Sequence, residues 1–217
     1  MNGQFPNRRV AGRMLAERLR AYADRSDVLV LGLPRGGVPV AYELAKALNA
    51  ELDVLIVRKL GMPGHPELAM GAIASGGTQY LNEEVLRYGG VGRHALQAVL
   101  EEEQAELVRR EKLYRGTRAP LKLAGRTVIV VDDGMATGAS MRAAVMALRS
   151  GKPSKIVVAV PVAPADAADR LQGAADEFVC VQNPVHFYAV GQFYKDFEQT
   201  SDEEVRELLE NVRQVPV

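Results

Sequence analysis

Residues 128–140, VIVVDDGMATGAS, constrain the fold of this 217-residue chain more than any other stretch. Val128, Ile129, Val130 and Val131 form an apolar, β-branched run. Successive residues of a strand point to opposite faces, so such a run must be covered on both sides. That environment is the interior of a parallel sheet with helices packed on it. The run stops at two acids, Asp132 and Asp133, followed by Gly134, Met135, Ala136, Thr137 and Gly138. A helix is predicted over 139–149, closed by Gly151 and Pro153.

The same strand–turn–helix rhythm recurs along the chain. An apolar run at 28–33 ends in a Gly/Pro turn at 34–37, a helix is predicted over 38–47, and a second apolar run covers 52–57. Further strands are predicted at 155–160 and 177–181, with a helix over 165–171 between them. An amphipathic helix at 8–23 precedes this series. A helix at 201–212, opened by Ser201 with Glu204 as a capping box, ends it. The pattern predicts an α/β fold of three layers around a mostly parallel sheet. The middle of the chain departs from it. Residues 59–67, KLGMPGHPE, read as a long loop, and 72–81 as a hairpin centred on Gly76 and Gly77. Asn82 is placed to cap a short helix ending near Gly89. Residues 92–115 form a charged helix with a narrow stripe of Leu96, Leu100 and Leu107, which suits a solvated helix or a dimer contact. One domain over 1–217 is expected, with an insertion at about 60–120 and a small aromatic hood at about 183–200.

Charge then limits the kinds of partner. Lys and Arg together number 27, as do Asp and Glu, so the chain has no overall field with which to hold duplex nucleic acid or an anionic membrane. Any anion site must be local. Cys180 is the sole cysteine, which excludes an internal disulfide, and His65, His94 and His186 do not cluster with it as zinc ligands. No apolar stretch opens the chain, and no run reaches the roughly 18 apolar residues that span a bilayer. A soluble, cytoplasmic protein is expected.

The chemistry implied by 132–140 has two halves. Glycines let backbone N–H groups approach an anion, the helix start adds its positive dipole end, and Thr137 and Ser140 supply hydroxyls. That half suits a phosphate. Two carboxylates would repel the same phosphate. They suit sugar hydroxyls or a Mg²⁺ ion one step further along a ligand. Asp-Asp-Gly by itself would also serve as an ordinary helix cap. A Walker A loop is excluded, because its spacing and its lysine are missing.

The full run resembles the 5-phosphoribosyl-1-pyrophosphate (PRPP) motif of type I phosphoribosyltransferases. The resemblance implies PRPP contacts from Asp132, Asp133, Gly134, Met135, Ala136, Thr137, Gly138, Ala139 and Ser140, with Mg²⁺ held by Asp132 and Asp133 directly or through water. Other elements follow in the family's order. LGLPRGG at 31–37 is similar to its pyrophosphate loop, which implies contacts from Pro34, Arg35, Gly36 and Gly37 and a cis bond between Pro34 and Arg35. VRKLGMPG at 57–64 is similar to its mobile loop. This implies that Arg58 and Lys59 meet pyrophosphate, with His65 and Glu67 above the substrate. FYAVGQFYKDF at 187–197 looks like its hood. Phe187, Val190, Gly191, Phe193 and Asp196 would meet the acceptor, although these aromatics equally suit a core, and the step from Gly191 to Asp196 is one residue longer than in the hypoxanthine–guanine enzymes. Asp132, Asp133, Arg35 and Lys59 would carry the reaction. The family implies Mg²⁺-dependent transfer of phosphoribose from PRPP to a base or amine, in a homodimer. The alternative is a non-catalytic PRPP or nucleotide sensor on the same fold.

Overall fold

A computed structural model describes residues 3–171 and 173–212, with the side chains of Pro66 and Glu67 outside the described set. Five strands, β1 (Val28–Gly32), β2 (Glu51–Val54), β6 (Thr127–Val131), β7 (Lys155–Val162) and β8 (Glu177–Gln182), form a sheet in the order β2-β1-β6-β7-β8. Every pairing in it is parallel. All residues of β1 and β6 are buried, as their unbroken apolar runs require. Side-chain alternation divides the core. Val30, Ile129 and Val131 pack with α1 (Arg8–Arg18), α2 (Gly37–Leu48) and α7 (Asp202–Asn211) through Leu15, Leu44 and Leu208. Leu29, Leu31, Val128 and Val130 pack on the opposite face with Val145 and Leu148 of α5 (Ala139–Arg149). The predicted α/β class and three-layer, mostly parallel architecture are what the chain adopts.

The middle segment builds a second sheet. Strands β3 (Val57–Met62), β4 (His65–Ala74) and β5 (Thr78–Leu81) are antiparallel and pack against α5. The long loop read at 59–67 is therefore corrected: it is the tip of the β3–β4 hairpin. Gly61 sits where the register shifts, Gly64 turns the hairpin at φ +80°, and buried Leu60 and Met70 anchor its two strands. The single run expected at 52–57 also divides. The Leu55 N–H still bonds Gly32 O in the first sheet, while Ile56 N–H donates to Ser75 Oγ and Ser75 N–H to Ile56 O in the second. The hairpin at Gly76 and Gly77 is present, both glycines having positive φ. Helices α3 (Glu83–Tyr88), capped by Asn82 at 3.2 Å, and α4 (Arg93–Arg115) follow. In α4 Leu107 is buried, with Leu96 and Leu100 partly so. Helix α6 (Ala167–Arg170) is shorter than expected, and α7 is capped by Ser201, whose Oγ accepts from Glu204 N–H at 3.0 Å.

Candidate functional site

The site lies where β1 and β6 end side by side, at the carboxyl edge of the sheet. This is where ligands bind in open α/β folds. After β6 the chain turns through Asp132 to Gly138, whose φ of +79° sets the start of α5. Thr137, Ala139 and Ser140 are exposed at that helix start. The turn is braced from outside: Arg170 Nη1 donates to Ala136 O at 2.8 Å. Met135 behaves differently from its expected ligand role. Its side chain is buried and its N–H donates to Val162 O at 2.9 Å, so it anchors the turn rather than facing solvent.

The loop after β1 faces the acids at very short range. The bond between Pro34 and Arg35 is cis, as expected. A Cβ on Gly36 would fall 2.1 Å from Asp133 Oδ2, and one on Gly37 would fall 2.8 Å from the Asp132 Cα. Only glycine fits at these two positions while the carboxylates stay where they are. Arg35 Nη1 lies 3.8 Å from Asp202 Oδ1 in the first turn of α7. That carboxylate also accepts from the Tyr114 hydroxyl. Desolvation first, and then this hydrogen bond, push Tyr114 up to about 12.

The two aspartates are differently held. Asp132 Oδ1 accepts from the N–H of Asp133 at 2.9 Å. Asp133 Oδ2 accepts from Arg8 Nε at 2.8 Å, and the Asp133 carbonyl accepts from the Tyr194 hydroxyl. Burial pushes the Asp132 carboxyl well above the usual carboxylate range, and the charge of Asp133 adds to this. Burial raises Asp133 too, with Arg8 pulling it the other way. Two desolvated carboxylates facing one guanidinium leave a local deficit of positive charge. Such a pair suits a hard divalent cation that brings further oxygens from water or ligand. Among the described residues no group of three or more acidic, His or Cys side chains could hold a metal unaided.

The remaining expected residues are not all brought to this point. Arg58 Nε is paired with Glu103 Oε2 of α4 at 2.5 Å. Lys59, the next residue of β3, is exposed and points to the other face of the strand. His65 is exposed at the hairpin tip, and the side chain of Glu67 lies outside the described residues. In the hood, Phe187 stacks on Phe193 at 5.2 Å, Val190 packs against Gly134, and Gly191 packs against Phe197. Asp196 turns to its own loop, accepting from Glu198 N–H at 3.2 Å. A cavity of about 420 Å³ opens between Ala136, Thr137, Asp166, Arg170, Phe187 and Tyr188. Arg8, Tyr194 and Arg170 are the site residues that sequence reading missed. Each is an ordinary residue of a helix or loop, and only the fold brings Arg8 to an acid 125 positions away.

Fold and geometry together define a class: an α/β protein with an exposed helix start beside a carboxylate pair, roofed by aromatic residues. Residues 4–198 match the phosphoribosyl transferase domain family, and the chain belongs to that family. It is 49% identical over 206 residues to a Mycobacterium tuberculosis (strain H37Rv) protein with the provisional name phosphoribosyl transferase, and equally to its counterpart in strain CDC 1551. The match covers 95% of this chain and 46% of each relative, so the chain spans about half the length of the curated relatives it matches. The crystal structure of TT1426 from Thermus thermophilus superposes with a TM-score of 0.86 at 44% identity, covering 95% of this chain and 97% of that one.

Proposed function

We propose that the protein is a Mg²⁺-dependent phosphoribosyltransferase that moves phosphoribose from PRPP to a nitrogenous base or amine. The observation that carries the reading is the juxtaposition of an exposed helix start at Thr137, Ala139 and Ser140 with the under-compensated pair Asp132 and Asp133. In this reading Gly134, Ala136, Thr137, Gly138, Ala139 and Ser140 bind the 5′-phosphate, and the two acids bind the ribose hydroxyls. Gly36 and Gly37 let the pyrophosphate lie against the loop backbone, with Arg35 and Lys59 reaching it from either side. The acceptor nitrogen bonds to C1 of the ribose as the bond from C1 to the pyrophosphate oxygen breaks. Mg²⁺, when bound beside Asp132 and Asp133, neutralises charge on the departing pyrophosphate. The protein contributes orientation, a fixed field and exclusion of water more than covalent chemistry. The cavity beneath Phe187 and Tyr188 suits a flat acceptor.

The test is to incubate the protein with MgCl₂, PRPP and a panel of purines, pyrimidines and small amines, and to measure pyrophosphate release. Acceptor-dependent release supports transfer. Calorimetric binding of PRPP with no release across the panel would favour sensing. No binding of PRPP at all would end the reading.

A further inference from the structure

Arg8 is the first residue of α1, where a positive charge opposes the helix dipole, so its placement does not serve the helix. Three contacts hold its guanidinium in one pose. Nε donates to Asp133 Oδ2 at 2.8 Å, Nη1 donates to Glu198 O at 2.6 Å, and the group lies 4.0 Å above the centroid of the Phe197 ring. Only 12% of its side chain and 14% of that of Asp133 are exposed. Two of these three partners belong to the hood. The arginine therefore carries a fixed charge from the roof of the site onto one of two neighbouring carboxylates. Asp132 is held differently: its carboxylate accepts from a backbone N–H.

We infer that Arg8 is a positioning residue that makes the two aspartates unequal. Asp133, neutralised and aimed by Arg8, is a fixed acceptor for the ligand's hydroxyls. Asp132 is the carboxylate left to attract a cation. With one arginine against two acids, the cluster carries one net negative charge instead of two. The ligand-free protein then binds Mg²⁺ weakly. The inference rests on the proposed PRPP site for its second half only, because the effect on Mg²⁺ alone requires no PRPP.

The experiment is calorimetric titration of wild type, Arg8→Gln and Arg8→Lys with MgCl₂ alone and then with PRPP in the presence of Mg²⁺. Thermal melting checks that each variant is folded. Removing the neutralising charge in Arg8→Gln is expected to tighten binding of Mg²⁺ alone by about tenfold, the size of a partly screened unit charge at short range. The same substitution should weaken PRPP binding by about tenfold, since Asp133 loses its orientation. Arg8→Lys keeps the charge without the planar fork, so its affinity for Mg²⁺ alone should return to the wild-type level while PRPP binding stays weakened. Unchanged Mg²⁺ affinity in a folded Arg8→Gln protein would overturn the inference. So would failure of Arg8→Lys to restore the wild-type value. If Arg8→Gln does not fold, the Lys variant decides alone: tighter Mg²⁺ binding there contradicts a role for charge. Failure of wild type to bind PRPP would instead strike the proposed function and leave the Mg²⁺ comparison intact.

Discussion

The carboxyl end of the parallel sheet and its β2 edge use the same residue types to opposite purpose. At the carboxyl end one arginine stands against two acids: Arg8 donates to Asp133, while Asp132 accepts from the Asp133 N–H. On the edge strand β2, Asp53, 5% exposed, takes both Nε and Nη2 of Arg115 at 3.1 and 3.0 Å, and lies 3.3 Å from Arg118. Arg126 pairs there with Glu51 and donates to the carbonyls of Asp27 and Val28. These groups line the larger cavity, about 630 Å³, yet the arginines already have protein acceptors. Buried charge that the protein itself compensates ties elements together. Here it fastens the last turn of α4 to β2. Buried charge left uncompensated is available to a ligand. The difference between the two regions lies in the balance of partners, not in the presence of acids.

The largest effect is expected at the β2 edge. Asp53→Asn strands two buried arginines and should cost about 3–5 kcal/mol in chemical denaturation. A loss under about 1 kcal/mol, the scale of exposed pairs, would break the contrast. Next comes the double substitution Asp132→Asn with Asp133→Asn. It should lower Mg²⁺-dependent PRPP affinity by about a hundredfold, while thermal melting shows the fold intact. The sign of its effect on stability follows from the raised carboxyl pKa values. A carboxyl whose native pKa lies above its unfolded one stabilises the fold most when protonated, and that stability falls as pH rises. At pH 7 the double variant should therefore melt above wild type, and the gap should close as pH drops below about 4, near the unfolded carboxylate value.

Two smaller changes sharpen the comparison within the site. Gly36→Ala puts a methyl group where Asp133 Oδ2 now lies, and should weaken PRPP binding by roughly tenfold, about 1.4 kcal/mol. Wild-type affinity in that variant would show that the carboxylate moves without penalty. Glu103→Gln releases Arg58 and costs no more than about 1 kcal/mol of stability. If Arg58 can turn toward pyrophosphate, PRPP affinity rises about threefold or less, a gain within that same energy. An unchanged value would confine Arg58 to holding the hairpin on α4.

Much of this arrangement was legible in the sequence because its signals are local. The apolar run ending in Asp132 specifies a buried strand and a site at its end, and Asn82 and Ser201 announce their helices by side-chain chemistry alone. What escaped depends on distant partners. The glycine and proline content of 59–67 suggested a loop, yet Leu60 and Met70 find a core only when α5 and α4 stand on either side of the second sheet. Met135 sits within the family motif, and its burial follows from a bond to Val162 on β7. The pairing of Arg58 with Glu103 depends on α4, far along the chain from the segment in which Arg58 reads as an anion ligand. Nothing near Arg8 signals its role, since Asp133 and Phe197 lie far along the chain.

The pairing of Gln4 and Phe5 with the hood has a consequence for biosynthesis. Phe5 N–H donates to Phe193 O and Lys195 N–H to Phe5 O, while Gln4 reaches Gln192 across 188 positions. The roof over the carboxylate pair is therefore built from two segments 188 positions apart. The central strands β1, β2 and β6 can pair while the hood is still being made, but Arg8 cannot be seated until Phe197 and Glu198 have emerged. During synthesis the core precedes the site, and both carboxylates wait, uncovered, for the roof to close over them.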